Sequence, residues 1–324
     1  MKAIVYREYG SADVLRFEEA AKPTPKPGEV LIKVRAAAVN PLDWHMMRAT
    51  PSFVRLISGL RRPKDIRMGV DVAGVVEAVG SGATQFKPGD AVFGTCKGAF
   101  AEYACAPESQ LAAKPPNLTF EQAASSPVAA FTALQALRDK GKVQPGQQVL
   151  INGAAGGVGV FAVQIARGLG AQVTGVCSTR NLEMVRSIGA DSVIDYTCQD
   201  FTTDPQRYDA FFDLVGNRSL TECLRVLKTR GVYIPCGGGG PDTPGTRLLA
   251  GMIAQAARAP FLSQKISGIL AKPNQPDLNL IRDLMESGKV VPVIDRNYPL
   301  NQVPDAIRYI ETGHARGKVL ITVE

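Results

Sequence analysis

The sequence lacks closely spaced cysteines, long apolar runs and a recognisable export signal. Its six cysteines form no CxxC pair, and the two closest, Cys96 and Cys105, are nine residues apart, so zinc-ribbon spacing is excluded. No apolar run approaches the ~20 residues that cross a bilayer. The first residues, MKAIVYREYG, alternate like a strand and do not form a charged and then apolar leader, so we expect no secretory signal. These absences predict a reduced, cytoplasmic setting.

The composition is that of a globular protein with room for two domains. The chain has 324 residues, 45% apolar and 21% charged, and its mean hydropathy is close to zero. The net charge of +7 admits nucleic acid, a membrane surface or an anionic cofactor as partner. Basic and apolar residues alternate at roughly helical spacing in the segment 51–67. Three interpretations stay open for it, of which the first is favoured: a solvated insertion helix, a lid over an active site, or a membrane-surface contact.

The chain divides into two regions with different secondary-structure patterns. Residues 1–115 contain short β patterns separated by glycine and proline, such as EVLIKVRAAAVN, and predict an all-β module. From residue 120 strand and helix patterns alternate, which predicts a parallel sheet covered on both faces. The stretch TRLLAGMIAQAARAPFLSQKISGILA is predicted to be helical. The segment after residue 290 contains a strand, a helix and a final strand, and the sequence does not indicate which sheet contains the final strand. The predicted fold class is therefore α/β, with a β-rich module followed by a doubly wound one.

A glycine-rich loop joins an apolar strand to an apolar helix in QQVLINGAAGGVGVFAVQIARGLG. Gly156 permits a tight turn, Gly159 lets the helix pack on the strand, and the helix N-terminus offers N–H groups to a pyrophosphate. Ala154 stands where the usual GxGxxG pattern has its first glycine, so the flanking strand and helix carry the prediction. We expect dinucleotide binding by the loop residues Ala155, Gly156, Gly157 and Val158.

The end of the next strand indicates which dinucleotide binds. NAD-binding units place Asp or Glu about 20 residues after the loop, where the carboxylate accepts hydrogen bonds from the ribose. This chain has VCSTRN there, with Ser178 at the expected position and Arg180 two residues later. A carboxylate would repel a 2′-phosphate, whereas a hydroxyl and a guanidinium would hold one. The sequence therefore predicts NADPH in preference to NADH.

Six motifs occur in order along nearly the whole chain: AAAVNPLDWH, GVDVAGVVEAVGSGATQFKPGDAVFG, GAFAEYACAP, AASSPVAAFTALQAL, INGAAGGVGVFAVQIARGLGA and GHARGKVLI. Together they resemble the medium-chain dehydrogenase/reductase superfamily and, within it, the zinc-independent quinone oxidoreductase branch. The resemblance implies a GroES-like catalytic domain over 1–120, completed by 292–324, and a Rossmann domain over 121–291, with NADPH between them. It further implies cofactor contacts by Thr132, Tyr196, Val215, Gly216, Cys236, Gly237 and Lys318.

Zinc-dependent members of this superfamily hold their catalytic metal at positions that this chain replaces. The resemblance places Asn40, Val70 and Val128 at the three ligand positions. None of these is a usual zinc ligand, and the cysteine-rich lobe for a structural zinc is missing, so we expect no metal. Without zinc to stabilise an alkoxide, a quinone or an α,β-unsaturated ketone is the favoured acceptor, because it delocalises the incoming charge.

Candidate catalytic residues lie in VNPLDWHMMRAT. Asn40 is predicted to polarise the acceptor carbonyl as a neutral donor, against the alternative that it stabilises a turn. His45 is the second candidate, as a proton donor to the reduced product, against the alternative that it packs on the barrel and bonds locally. Asp43 and Asp71 are expected to hold Arg or Lys partners. An apolar wall for a flat substrate is predicted from three residues of types that more often form ordinary core: Trp44, Met47 and Phe53.

We therefore expect an NADPH-dependent enzyme that transfers hydride to a quinone or an α,β-unsaturated carbonyl. The expected partner is this small molecule, with neither nucleic acid nor a membrane involved. Two alternatives stay open: an enoyl-thioester reductase, which needs a channel for an acyl chain, and an NADPH-binding regulatory protein with weak turnover. A homodimer formed through an edge strand of the Rossmann sheet is also considered, with GVYIPCG as the candidate edge.

Overall fold

The structure, a computed structural model, describes residues 1–52, 54–237 and 262–324. Its strands are β1 (Lys2–Val5), β2 (Arg16–Glu19), β3 (Glu29–Val39), β4 (Asp71–Val79), β5 (Ala91–Thr95), β6 (Tyr103–Pro107), β7 (Leu111–Ala113), β8 (Gln148–Asn152), β9 (Gln172–Cys177), β10 (Ser192–Asp195), β11 (Tyr208–Asp213), β12 (Leu227–Pro235), β13 (Lys265–Ile266), β14 (Ile294–Pro299) and β15 (Lys318–Thr322). Its α-helices are α1 (Pro41–Arg48), α2 (Val54–Ser58), α3 (Phe120–Ala124), α4 (Pro127–Gln135), α5 (Gly159–Gly168), α6 (Leu182–Ser187), α7 (Leu220–Arg225), α8 (Gln275–Glu286) and α9 (Val303–Glu311). Two compact units result: unit 1 (Met1–Phe131, Lys272–Gly288, Ile294–Glu324) and unit 2 (Thr132–Ala271, Lys289–Val293).

Unit 1 is built on a mostly antiparallel sheet in the order β14-β15-β3-β4-β5-β7, with β6 also paired to β3. Its core contains buried strand residues such as Ile32 and Val72 together with Phe100. The last strand, β15, pairs with β3 and places Leu320 opposite Ala38. The prediction of a β-rich N-terminal module is confirmed, and the final strand of the sequence belongs to the sheet of this unit.

Unit 2 contains a parallel sheet in the order β10-β9-β8-β11-β12-β13. Helices α5, α6 and α7 follow β8, β9 and β11 in the chain, and buried apolar residues such as Leu150, Val176 and Phe211 form the core. This is the doubly wound order of dinucleotide-binding folds, in which the strand order reverses between β8 and β11. The predicted α/β class is confirmed.

Three local expectations differ from the structure. The helix predicted from residue 246 lies outside the described residues as far as 261, and beyond them residues 265–266 form strand β13. Because β13 pairs with β12, the candidate edge GVYIPCG is not an edge strand. In the described part of the segment 51–67 only Val54–Ser58 is α-helical, since Gly59, at a φ of +124°, ends the helix. Exposed Leu56 and Leu60 agree with a solvated segment.

The compact units differ from the predicted domain boundaries in three segments: 292–293 belong to unit 2, and 121–131 and 272–288 belong to unit 1. Helix α8 is fixed there because Gln275 Nε2 donates to the carbonyl oxygen of Leu111 at 3.3 Å. Asn117 Nδ2 also donates to the carbonyl oxygen of Glu286, at 3.0 Å. None of the helices in the described parts of the chain is long and apolar enough to cross a membrane.

Candidate cofactor site and buried polar cluster

The glycine-rich loop connects β8 directly to α5. At Gly159 a Cβ atom would lie 2.1 Å from the carbonyl oxygen of Gly153, so only glycine allows the helix to begin against the strand end. At Gly156 a Cβ would come no closer than 3.4 Å to any neighbour, so the protein itself does not require glycine there and the space is open to a ligand. No side chain caps the N-terminus of α5 in the described structure. The loop therefore fits a pyrophosphate, and the contacts predicted for its residues stay a prediction.

A buried polar network lies at the carboxyl ends of β8, β11 and β12, where the strand order reverses. Asp213 Oδ1 accepts hydrogen bonds from Asn152 Nδ2 at 2.9 Å and from the backbone N–H groups of Val215 and Gly216 at 3.1 and 3.0 Å. Its Oδ2 accepts one from the Tyr233 hydroxyl at 2.9 Å. We call this the switch-point network; its members are Asn152, Asp213, Asn217 and Tyr233.

The switch-point network shapes two segments that the sequence assigned to the cofactor. Asp213 holds the loop 214–217 through its carboxylate, and its carbonyl oxygen accepts from the N–H groups of Cys236 and Gly237 at 2.9 and 3.1 Å. A Cβ at Gly237 would lie 2.1 Å from the carbonyl oxygen of Leu214, so the two segments touch. The structure thus brings the predicted residues Val215, Gly216, Cys236 and Gly237 together. Sequence analysis missed Asp213, although a polar residue ending an apolar strand was the available signal.

The residues predicted to hold a 2′-phosphate lie together at the ends of β9 and β10. Ser178 directly follows β9, and its hydroxyl oxygen accepts from Asn181 Nδ2 at 3.2 Å. The N–H of Tyr196 donates to the carbonyl oxygen of Cys177 at 3.1 Å, which places Tyr196 beside Ser178. Arg180 and the Tyr196 side chain are exposed. The contacts of Ser178, Arg180 and Tyr196 to a 2′-phosphate stay a prediction.

A second buried polar group lies in unit 1. Asn40 Nδ2 donates to Asp71 Oδ2 at 2.9 Å and to the carbonyl oxygen of Ala38 at 3.3 Å, while Asn40 Oδ1 accepts from Lys318 Nζ at 2.5 Å. Lys318 Nζ also lies 3.4 Å from Asp71 Oδ2. Asp43 Oδ2 accepts from the backbone N–H of Asn40 at 2.7 Å. We call this the barrel cluster; its members are Asn40, Asp43, Asp71 and Lys318.

The barrel cluster is at odds with two predicted roles. Both amide hydrogens of Asn40 bond to protein acceptors and the residue is 2% exposed, so in this arrangement neither hydrogen is left for a substrate carbonyl. Lys318 is 3% exposed and its ammonium bonds within the cluster, which argues against its predicted contact to the cofactor. The expectation that Asp71 holds a basic partner agrees with its ion pair to Lys318, whereas Asp43 bonds to backbone N–H instead.

The charges of the barrel cluster depend on burial. Desolvation raises the pKa of Asp43 to about 7, and hydrogen bonds from backbone N–H groups only partly oppose it. Desolvation also lowers the pKa of Lys318, against the attraction of Asp71. The N–H of Val128, the residue that the resemblance matches to the third zinc-ligand position, donates to Asp71 Oδ1 at 2.9 Å. Within the described ranges, no group of three or more His, Cys, Asp or Glu side chains is arranged to hold a metal ion.

His45 lies near the end of α1, half-buried and stacked on Trp44 with ring centroids 3.7 Å apart. Its Nδ1 lies 2.7 Å from the carbonyl oxygen of Thr50. A carbonyl oxygen only accepts, so Nδ1 carries the proton and Nε2 of the neutral ring carries a lone pair. Burial lowers the pKa of His45, against the effect of the Thr50 bond. At neutral pH His45 is therefore a poor proton donor, and it is bonded locally.

The predicted substrate wall does not form a surface in the described structure. Met47 is fully buried and Trp44 is 5% exposed, and both belong to the apolar core of unit 1. Phe53 lies outside the described residues. Thr132, predicted to lie beside the nicotinamide, is in α4 and only 8% exposed. The helical spacing of Trp44 and Met47 thus reflects core packing, the more common role of these residue types.

Two family models match parts of the chain. A family model described as an alcohol dehydrogenase GroES-like domain matches residues 26–116, and one described as a zinc-binding dehydrogenase matches residues 188–321. The chain is 36% identical to a 2-methylene-furan-3-one reductase of Solanum lycopersicum, over 99% of this chain and 79% of the relative. An NADPH-dependent alkenal/one oxidoreductase of Arabidopsis thaliana, chloroplastic, gives the same identity and coverage. The solved structure of the quinone oxidoreductase from Coxiella burnetii matches with a TM-score of 0.86 and 30% identity, covering 100% of this chain and 99% of that one.

Proposed function

The chain belongs to the medium-chain dehydrogenase/reductase superfamily, and we propose that it is an NADPH-dependent oxidoreductase that transfers hydride to a quinone or an α,β-unsaturated carbonyl. Relatives that share a third or more of its residues over almost its whole length are named as alkenal, enone and quinone oxidoreductases. The small-molecule acceptor and the nicotinamide cofactor both follow from this kinship.

The observation that carries the proposal is the switch-point network. Dinucleotides bind doubly wound sheets in the crevice at the carboxyl ends of the strands where the order reverses. In this chain Asn152 ends β8 and Asp213 ends β11, the two strands on either side of that reversal, and the glycine-rich loop begins at the next residue after Asn152. The same corner thus has a loop open to a pyrophosphate and a second loop, 214–217, fixed by a carboxylate.

Bound NADPH supplies the hydride, and the residues of unit 2 hold and orient it. The N-terminus of α5 and the loop 153–158 bind the pyrophosphate, while Ser178, Arg180 and Tyr196 bind the 2′-phosphate and so favour NADPH over NADH. Asp213 orders the loop 214–217, which we assign to the ribose and the carboxamide. Because a conjugated acceptor delocalises the charge that arrives with hydride, protein hydrogen-bond donors are sufficient to stabilise it.

We propose that the reaction needs no zinc. The three positions that match the zinc ligands are Asn40, Val70 and Val128, and an ammonium group, Lys318 Nζ, lies beside the first of them. A buried cation at 2.5 Å from Asn40 Oδ1 disfavours a second cation at the same place. For Asn40 we now propose a positioning role, in which it joins α1 to β4 through Asp71.

We also propose which part of the chain carries each function. Residues 1–120 with 292–324 carry the substrate chemistry, and residues 121–291 hold the cofactor. We further propose that the protein is cytoplasmic and forms a homodimer. Strand β12 does not supply an exposed edge for dimer formation, because it pairs with β13.

The proposal is tested by NADPH oxidation with three classes of acceptor: quinones, α,β-unsaturated ketones and enoyl thioesters. We expect turnover with the first two, after treatment with a chelator and without added metal. Turnover restricted to long-chain enoyl thioesters would favour the enoyl-thioester reductase. Tight NADPH binding with no oxidation in the presence of any acceptor would favour a regulatory binding protein, and either result would overturn the proposal.

A further inference from the structure

A carboxylate lies within the group of residues assigned to the 2′-phosphate. Asp195 ends β10 and pairs in register with Cys177, the residue before Ser178. Its Oδ2 accepts a hydrogen bond from the Thr179 hydroxyl at 2.6 Å, and Thr179 stands between Ser178 and Arg180 in the chain. Its Oδ1 accepts from the N–H and the hydroxyl of Thr197, at 2.9 and 2.7 Å.

This arrangement affects an incoming phosphate in two ways. The Thr179 hydroxyl has one hydrogen, and two protein acceptors lie within hydrogen-bond distance of it, Asp195 Oδ2 at 2.6 Å and the Thr197 hydroxyl oxygen at 2.9 Å. While either of them accepts this hydrogen, the Thr179 hydroxyl does not donate it to a phosphate. The hydrogen bonds from Thr179 and Thr197 hold the pKa of Asp195 below its usual range, so the group stays negatively charged at neutral pH. A dianionic phosphate near Ser178 and Arg180 therefore meets a like charge beside its ligands.

We propose that Asp195 is a specificity-determining residue that weakens binding of the 2′-phosphate and so limits the preference for NADPH over NADH. The inference rests on the proposed function, since it assumes that unit 2 binds a nicotinamide dinucleotide. Asp195 also has a structural role, because its bond to the Thr197 N–H closes a turn after β10. Asparagine preserves that acceptor and removes the charge, so Asp195→Asn separates the two roles.

The strand offers a matched control at its other end. Asp191 precedes β10 and accepts from the backbone N–H of Val173 at 2.7 Å, so Asp191→Asn removes the same charge and keeps the acceptor. Four residues of strand separate the two sites by about 13 Å, which exceeds the Debye length of about 10 Å at 0.1 M salt. Any effect of net charge alone would appear in both variants.

The experiment measures dissociation constants for NADPH, NADH and the fragments 2′,5′-ADP and AMP, by fluorescence or calorimetric titration. We expect Asp195→Asn to tighten NADPH and 2′,5′-ADP by about 3- to 10-fold at low salt and to change NADH and AMP by less than about 2-fold. The gain should shrink at high salt, and Asp191→Asn should show none. Unchanged NADPH affinity in Asp195→Asn, or an equal gain in Asp191→Asn, would overturn the inference with the proposed function intact. Failure of every variant to bind any dinucleotide would overturn both.

Discussion

The barrel cluster in unit 1 and the switch-point network in unit 2 both contain a buried aspartate that accepts from an asparagine amide at 2.9 Å: Asp71 from Asn40, and Asp213 from Asn152. Their remaining partners differ. In the barrel cluster the aspartate forms an ion pair with an ammonium group, Lys318 Nζ. The side chains that bond to each other in this cluster are all buried. In the switch-point network the aspartate bonds to neutral donors, two of which are N–H groups of the half-exposed loop 214–217.

The comparison separates stability from ligand binding. Removing one partner of a buried ion pair destabilises the fold, because the other charge is then left buried and uncompensated. A carboxylate that orders the backbone of a partly exposed loop instead fixes the shape that a ligand meets. We therefore expect changes in the barrel cluster to alter the free energy of unfolding, and changes in the switch-point network to alter cofactor affinity.

The largest effect is expected for Lys318→Met. The substitution leaves Asp71 buried without its cation, so the free energy of unfolding should fall by about 3–5 kcal/mol. The dissociation constant for NADPH should change by less than about 2-fold. Urea denaturation and a cofactor titration measure the two quantities, with exposed Lys87→Met as the matched control. If NADPH affinity is lost while the free energy of unfolding is unchanged, Lys318 contacts the cofactor, as the resemblance implies.

Next in size is Asp213→Asn. The substitution replaces a carboxylate that accepts four hydrogen bonds with an amide that cannot accept them all, and a hydrogen bond to a charged group contributes about 1.5–3 kcal/mol. We expect NADPH affinity to fall by about 10- to 100-fold. Tyr233→Phe removes only the bond to Oδ2 and leaves the loop bonds, so it should weaken NADPH by less than about 3-fold. Equal effects of the two substitutions on affinity would show that the loop bonds do not matter.

A pH dependence of stability is expected from Asp43. Its pKa is raised from 3.8 to about 7 by burial, so between these values the folded chain binds more protons than the unfolded chain. The free energy of unfolding should therefore decrease as pH rises from about 4 to about 7, with a slope of up to about 1.4 kcal/mol per pH unit from this group. Asp43→Asn should remove this component in urea titrations across the range. An unchanged profile would place the titration elsewhere.

The smallest effect is expected for His45→Ala. The proton of the ring is on Nδ1 and bonds to Thr50, and burial lowers the pKa, so His45 is a weak acid catalyst at neutral pH. A quinone takes its protons from water, so kcat with a quinone should fall by no more than about 5-fold. The measurement compares kcat from pH 5 to 8 with a quinone and with an enone. A large loss that titrates near pH 6.5 would make His45 a catalytic residue.

Much of the fold could be predicted from the sequence because its signals are local. The strand and helix periodicities and the glycine-rich loop specify the doubly wound unit, and at Gly159 the structure shows the close approach that the pattern implies. The barrel cluster and the switch-point network each depend on pairings between residues far apart in the chain. Lys318 and Asn40 are 278 residues apart, and Asp213 and Asn152 are 61 apart, so no window of sequence reveals that they bond.

Analogy by position also has a physical limit. The resemblance matches Asn40 to a metal-ligand position, but its amide bonds to Asp71 and Lys318 inside the core. Trp44 and Met47 share a helix with His45, and their apolar side chains complete the core of unit 1. Residue type and place in a motif predicted that these positions are important. Their burial in the structure indicates that the role is structural.

The most direct test of the proposed function follows a labelled hydride. NADPH with both hydrogens at C4 of the nicotinamide replaced by deuterium is incubated with the metal-depleted protein and an α,β-unsaturated ketone, and the product is analysed by NMR and mass spectrometry. We predict one deuterium at the β-carbon of a saturated ketone, because the conjugated carbonyl accepts hydride at that position. Deuterium at the carbonyl carbon, giving an unsaturated alcohol, or activity that returns only with added zinc, would contradict it.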